Sequence, residues 1–180
     1  MSSINESFNF PKINKDQSDY SLKGKKKAFP ENNKQEKQKV KDAIIRIHSK
    51  IGWGKHNKLS IQRLTEDTRS VFAVSKKDDE DVIGYATAKK LDAKTYYLSF
   101  IAVDLEKQRG GIGRNLLLRI IEKVVKKGGD KLILDFRNSE KLVRFYSNIP
   151  YKNEIEDAGQ YADGTPKKKI TYYLNIPNET

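Results

Sequence analysis

The stretch Gln108-Arg109-Gly110-Gly111-Ile112-Gly113-Arg114 constrains the fold of this chain most, because it separates two segments of different periodicity. Upstream, Tyr96 to Val103 reads YYLSFIAV, aromatic and β-branched, as suits a strand buried on both faces. Downstream, Ile112, Leu116, Ile120 and Val124 recur every four residues with Leu117 and Ile121 beside them, giving one apolar helical face. The stretch is therefore a tight turn between a strand and a helix N-terminus. Glycines there let backbone N–H groups crowd around a guest, and the helix dipole adds partial positive charge. The guest such a cradle suits is a phosphate.

Two common nucleotide motifs are excluded. A Walker A loop needs Lys and then Ser or Thr after its last glycine, and here Arg114 and Asn115 follow. A Rossmann fingerprint needs a glycine three residues after Gly113, where Leu116 stands. What remains is Gln-x-x-Gly-x-Gly, spelled by Gln108, Gly111 and Gly113, directly after a strand ending Ala102-Val103-Asp104.

The flanking chain divides into an arm and one domain. Residues 1–33 read as a flexible basic arm, and residues 34–180 as a single domain long enough to bury a core. Within the arm, Tyr20 to Phe29 fits either tail or a short edge strand, since Lys25, Lys26 and Lys27 suit an exposed edge. Val40, Ile44, Ile47 and Ile51 then mark a first amphipathic helix ending at Gly52. The loop Gly52-Trp53-Gly54-Lys55-His56 holds the only Trp, which either lines an acceptor site or caps the core, and Leu59 to Thr68 suits a short second helix. Extended segments follow at Ser70 to Ser75, Val82 to Leu91 and Thr95 to Val103, with an acidic, solvated tip at Asp78 to Asp81. After the glycine turn, the helix stops at Gly128-Gly129 and KLILDFR (Lys131 to Arg137) is another buried strand, which implies a parallel crossover. A short helix at Ser139 to Ser147 and two closing strands, Tyr151 to Glu156 and Lys169 to Ile176, complete a mixed sheet with helices on both sides.

Charge and composition narrow the chemistry. The 180 residues carry a formal net charge of +12, and residues 1 to 50 hold twelve Lys or Arg against six Asp or Glu. That arm reads as solvated rather than as a nucleic-acid contact. With no Cys, there is no disulfide, thiolate metal site or Cys nucleophile. His48 and His56 give no support for a metal site or a Ser-His pair, and each reads as an ordinary surface or helix residue. No apolar run approaches the ~18 residues of a membrane span, and the N-terminus lacks a secretory core, so a cytoplasmic protein is expected.

The order of elements, with the loop at Gln108 to Gly113, resembles the GNAT acetyltransferase family over about residues 34 to 176. SEKLVRFYSNIPY resembles the family's helix ending in Phe-Tyr or Leu-Tyr before the sixth strand. It departs in having Pro150-Tyr151 where the family often has Gly-Phe, and Ser139 where it often has Asn, with Asn138 adjacent. The resemblance implies an α/β (α+β) fold: a mixed, mostly antiparallel sheet whose fourth and fifth strands are parallel and part like a V.

By the same resemblance, acetyl-CoA lies in that V as co-substrate, with no metal. Ile101, Ala102 and Val103 would bind its pantetheine arm, the Ile101 N–H polarising the thioester carbonyl. Gln108, Arg109, Gly110, Gly111, Ile112, Gly113 and Arg114 would surround the pyrophosphate, and Asn138 would add a contact. Tyr146 would donate a proton to the departing sulfur. Some relatives use a Glu in the fourth strand, where this chain offers Tyr97 and Ser99, so the base stays open among Asp135, water leading to solvent and Asp104, which could equally fix the turn. The implied reaction is N-acetylation of a primary amine, on a protein or a small molecule, by a monomer or homodimer. The alternative is a module that keeps the fold and binds CoA or a partner protein without catalysis.

Overall fold

The computed structural model describes residues 11, 19–24, 33–51, 70–76 and 81–175. Expectations for residues 52–69, including the Trp53 loop and a helix at Leu59 to Thr68, lie outside the described residues, as does most of the N-terminal arm. Seven strands form one sheet: β1 (Tyr20–Gly24), β2 (Val71–Ser75), β3 (Val82–Lys90), β4 (Thr95–Val103), β5 (Lys131–Arg137), β6 (Lys152–Gln160) and β7 (Pro166–Tyr173). Their order is β1-β2-β3-β4-β5-β7-β6, antiparallel throughout except for the parallel pair β4 and β5. Among the described residues the α-helices are α1 (Lys34–Lys50), α2 (Ile112–Lys126) and α3 (Glu140–Ser147). The mixed, mostly antiparallel sheet with its β4–β5 crossover is as the sequence predicts.

Side-chain alternation sorts the core into two layers. On β2, Val71 and Ala73 face α2, whereas Phe72 and Val74 face α1. The α2 layer packs Leu116, Leu117, Ile120, Ile121 and Val124, all fully buried, against Leu132 and Leu134 of β5. Full burial of a side chain of this kind contributes about 1.5–3 kcal/mol, so this layer holds α2, and with it the turn at its N-terminus, against the sheet. The α1 layer is smaller and seats Val40, Ala43, Ile44 and Ile47 on β2 and β3. The Asn33 side chain caps α1 by accepting from the N–H groups of Gln35 at 3.1 Å and Glu36 at 3.2 Å. At the far end of α2, Gly128 in the left-handed region (φ 80°) closes the helix, the Gly129 N–H donating to Val124 O at 2.9 Å.

Four local readings change. Residues Tyr20–Gly24 are the edge strand rather than tail, pairing with Val71–Ser75. His48 is a helix residue of α1, as one of its two readings had it, but it is buried, and its Nε2 meets the Tyr85 hydroxyl inside the α1 layer. In the acidic tip, Asp81 is more than a solvated charge, since it pairs with Arg46 of α1 at 2.7 Å. The last strand starts at Pro166, three residues ahead of the predicted Lys169. The run Lys167-Lys168-Lys169 hides it, and carboxylates across the sheet make that run tolerable: Asp157 and Glu156 on β6 pair with Lys168 and Lys169.

Candidate active site

The β4 and β5 strands pair over only three residues, Thr95 with Lys131, Tyr96 with Leu132 and Tyr97 with Ile133. Beyond Tyr97 they part. A bulge starts the separation, because Thr87 on β3 opposes Phe100 while Ala88 opposes Leu98, leaving Ser99 as the extra residue. The Asp104 N–H donates to Ile83 O at 2.8 Å, and the register pairs Val103 with Gly84, Ala102 with Tyr85 and Ile101 with Ala86. In an antiparallel ladder every second residue turns its N–H and C=O away from the partner strand. The backbone groups of Val103 and Ile101 therefore point away from β3, into the space that β5 has left.

That space is a cavity of about 1040 Å³. It is lined by Ile101, Ala102, Val103, Gln108, Gly111, Gly113, Arg114 and Tyr146, which the sequence had assigned to a site, and by Leu134, Asp135 and Phe136 on the β5 wall. Gly110 ends the short 3₁₀ turn Leu105–Gly110 and is exposed, while the Ile112 side chain belongs to the core. Asn138 is exposed, and its N–H donates to Pro166 O at 2.9 Å, so it ties β5 to β7. None of these three is among the lining residues. Arg109 lies in the 3₁₀ turn, with its side chain outside the description.

At one end of the cavity stands the N-terminus of α2. Gly111 turns the chain at φ 71°, a conformation that a side chain strains. The first intrahelical acceptor is Gly111 O, which takes the Asn115 N–H at 3.1 Å. This leaves the N–H groups of Ile112, Gly113 and Arg114 without helical acceptors, an anion site in the making. At Gly113 a Cβ would sit 3.5 Å from Phe145 Cζ and 3.7 Å from Val103 Cγ2, so the missing side chain keeps this end open. Three cations line the cavity, Arg114, Arg137 and Lys141, and Arg114 stands in the first turn of α2. The turn itself is braced by Asp104, which is buried, accepts from the Glu106 N–H at 3.2 Å and lies 3.4 Å from Lys50 Nζ. That bracing is what the structure shows for Asp104. Gln108 Nε2 lies 3.4 Å from Val103 O and ties the turn back to β4.

Tyr146 lies in the cavity wall with its ring 4.8 Å from that of Phe136 and 4.9 Å from that of Phe145, and its carbonyl accepts from the Tyr172 hydroxyl at 2.6 Å. Burial, and then the nearby Tyr161, push its phenol far above the ordinary value, so it carries its proton at neutral pH. A group in that state can donate.

Asp135 is the only carboxylate among the described lining residues. The Tyr97 hydroxyl donates to its Oδ2 at 3.2 Å, and Lys167 Nζ lies 3.6 Å from the same oxygen. Burial first, then Asp135, raise the Tyr97 phenol to about 12, which keeps it a donor. Tyr161 closes this end, with Arg137 at 5.4 Å and Lys167 at 5.5 Å from its ring centroid. Sequence reasoning singled out neither Tyr161 nor Lys167. Tyr161 reaches the cavity, and Lys167 reaches Asp135 in its wall, through the pairing of β5 with β7, for which the sequence carries no local signal.

A mixed sheet split between two parallel strands, with a helix N-terminus at the mouth of the split, frames this site. Residues 39–148 match the model of the acetyltransferase (GNAT) family, and the chain belongs to that family. No curated protein matches it in sequence. Among solved structures, it is similar to Ard1 from Thermoplasma volcanium at 13% identity and a TM-score of 0.70, over 87% of this chain and 99% of that one. The NatC complex bound to Gag peptide and CoA matches at 15% identity and TM-score 0.69, over 87% and 99%. An aminoglycoside 6'-N-acetyltransferase complexed with coenzyme A matches at 14% and 0.65, over 89% and 99%. At such identities the likeness shows the fold.

Proposed function

We propose that this protein transfers an acetyl group from acetyl-CoA to a primary amine by direct attack of the amine. The observation that carries this reading is the parting of β4 from β5 after three residue pairs, which turns the Ile101 and Val103 backbone groups into a cleft ending at the N-terminus of α2. The residues fit the donor: unpaired helix N–H groups, Gly113 and Arg114 at the start of α2 suit a diphosphate, and a largely apolar cleft suits an extended arm. Acetyl-CoA supplies the activated carbonyl.

The chain's own residues do the rest. The Ile101 N–H is a fixed donor for negative charge that gathers on the carbonyl oxygen, and a preorganised backbone donor stabilises such charge without reorganising. Tyr146, held protonated by burial, donates to the departing sulfur. A thiol has a pKa of ~8.5, so the thiolate departs tolerably unaided and this proton adds rate without being indispensable. An amine must lose a proton before it attacks, and the Asp135 carboxylate, which accepts from the Tyr97 hydroxyl, would take it. Relatives with the same fold include one bound to a peptide and one named for aminoglycosides, so kinship supports an amine acceptor without choosing between protein and small molecule. Isothermal titration with acetyl-CoA, followed by thiol release over an amine library, tests the reading. Absence of binding at high micromolar donor would sink it, and binding without release from any amine would favour a non-catalytic CoA-binding module.

A further inference from the structure

Lysines 167, 168 and 169 stand together in β7, and their side chains have different destinations. Lys168 pairs with Asp157 at 2.7 Å and Lys169 with Glu156, both on β6. Lys167 reaches the opposite neighbour: its Nζ lies 3.6 Å from Asp135 Oδ2 on β5 and 5.5 Å from the Tyr161 ring centroid. Asp135, Tyr97 and Tyr161 line the cleft that also holds Ile101 and Tyr146. A carboxylate beside an aromatic face is a seat for an alkylammonium. The Tyr97 hydroxyl, donating to the same carboxylate oxygen, orients it. The seat therefore already contains a primary amine on an unbranched alkyl chain, and that amine belongs to the protein.

We propose that Lys167 is an acceptor for the protein's own transfer reaction, presented to the donor from the seat formed by Asp135, Tyr97 and Tyr161. This rests on the acetyltransfer reading above and adds to it a modification site and an acceptor class, an unbranched primary alkylamine. The Lys167 ammonium first loses one proton by way of Asp135 to solvent, because only the neutral amine has a lone pair with which to attack. The nitrogen attacks the thioester carbonyl carbon, so a C–N bond forms as the C–S bond breaks. A second proton leaves the nitrogen while the sulfur takes one up. The products are Nε-acetyl-Lys167 and the CoA thiol, with no oxidant or reductant required. Acetylation removes the charge and frees the Asp135 seat for an external amine.

The full chain is incubated with acetyl-CoA at two protein concentrations about tenfold apart, with and without n-pentylamine, and acetylated lysines are followed over time by tandem mass spectrometry. Lys167 should be modified at least about tenfold faster than exposed Lys90, at a first-order rate independent of protein concentration, as an intramolecular reaction requires. Modification of Lys167 no faster than of Lys90, or at a rate proportional to protein concentration, overturns the proposal. So does preferential modification of Lys89, whose Nζ approaches the Tyr97 ring at 5.4 Å from β3. Acetylated pentylamine with unmodified Lys167 sinks this inference and leaves the transferase reading standing, whereas no acetylation of either amine brings down both. A second measurement uses no donor: n-pentylamine is titrated while tyrosine ring signals are followed by NMR. Lys167→Met should bind it at least about threefold more tightly, because an occupied seat lowers apparent affinity. Equal affinity shows that Lys167 does not fill the seat and overturns the proposal.

Discussion

At the loop end of the cleft the groups on offer are mostly backbone N–H groups from one continuous stretch, 101–114. At the Asp135 end they are the side chains of Tyr97, Asp135 and Tyr161, with Lys167 against Asp135, brought together from β4, β5, β7 and the turn before it. The first kind of site depends on main-chain course, which glycines and a helix start determine locally. The second depends on strand pairing between distant segments. One consequence is that the loop end should tolerate changes in its surroundings but not in its backbone, and the Asp135 end should respond to single side chains.

The difference can be broken most sharply at Gly113. Gly113→Leu would push atoms past Phe145 and Val103 into the cavity, and CoA affinity by calorimetry should fall by about a hundredfold, or ~2.8 kcal/mol. A variant that folds by circular dichroism and binds CoA normally would detach the loop from the donor. Next, Tyr146→Phe should lower kcat by about tenfold to a hundredfold, the low end of proton-transfer effects because a thiolate is a fair leaving group. Donor affinity should stay within a factor of ~2, the phenol being asked to act on departure and not on binding. An equal loss in both would make Tyr146 a packing residue.

Asp135→Asn probes the other end. It should raise the acceptor KM about tenfold, as losing one charge-assisted contact does, lower kcat as well because the same carboxylate takes the amine's proton, and leave CoA binding unchanged. A change in CoA affinity would merge the two ends into one. The smallest effect concerns the hairpin that carries Tyr161. Arg137 bonds Asp163 at 3.0 Å and Thr165 at 2.9 Å, and the Thr165 hydroxyl and N–H, then Arg137, hold the Asp163 carboxyl down at about 2. Its folded value lies below the ordinary ~3.9, so its contribution is present above pH ~4 and is lost as pH falls toward 2. Carboxyl chemical shifts should place the Asp163 midpoint near 2 in the folded protein, with Tyr161 signals moving alongside and Gly113 signals remaining still.

The same difference decides what the sequence disclosed. The YYLSFIAV strand, the glycine turn and the fourfold spacing of Ile112 to Val124 are signals carried by neighbours in the chain, so the crossover and its turn could be read directly. The β7 strand was misplaced because Lys167 to Lys169 contradict strand composition, and only the facing carboxylates of β6 show why they fit. His48 looked like a polar helix residue, because nothing nearby in the chain announces the Tyr85 hydroxyl that receives it in the core. Tyr161 and Lys167 escaped for a related reason: Tyr161 lines the cleft and Lys167 meets Asp135 only once β5 and β7 are in register. Asp135 was visible as a possible base, while its tie to Tyr97 was not.

Three rungs hold β4 to β5 where a longer ladder could have formed, and beyond them the Ile101 and Val103 amides face open space. A guest that accepts from those amides does the work of a neighbouring strand, so it completes the sheet as well as occupying a pocket. Occupancy and rigidity are then one equilibrium. A ligand at a hundred times its Kd would add about 2.7 kcal/mol to the stability of the fold, and amide exchange would slow along both lips of the split rather than at a single point.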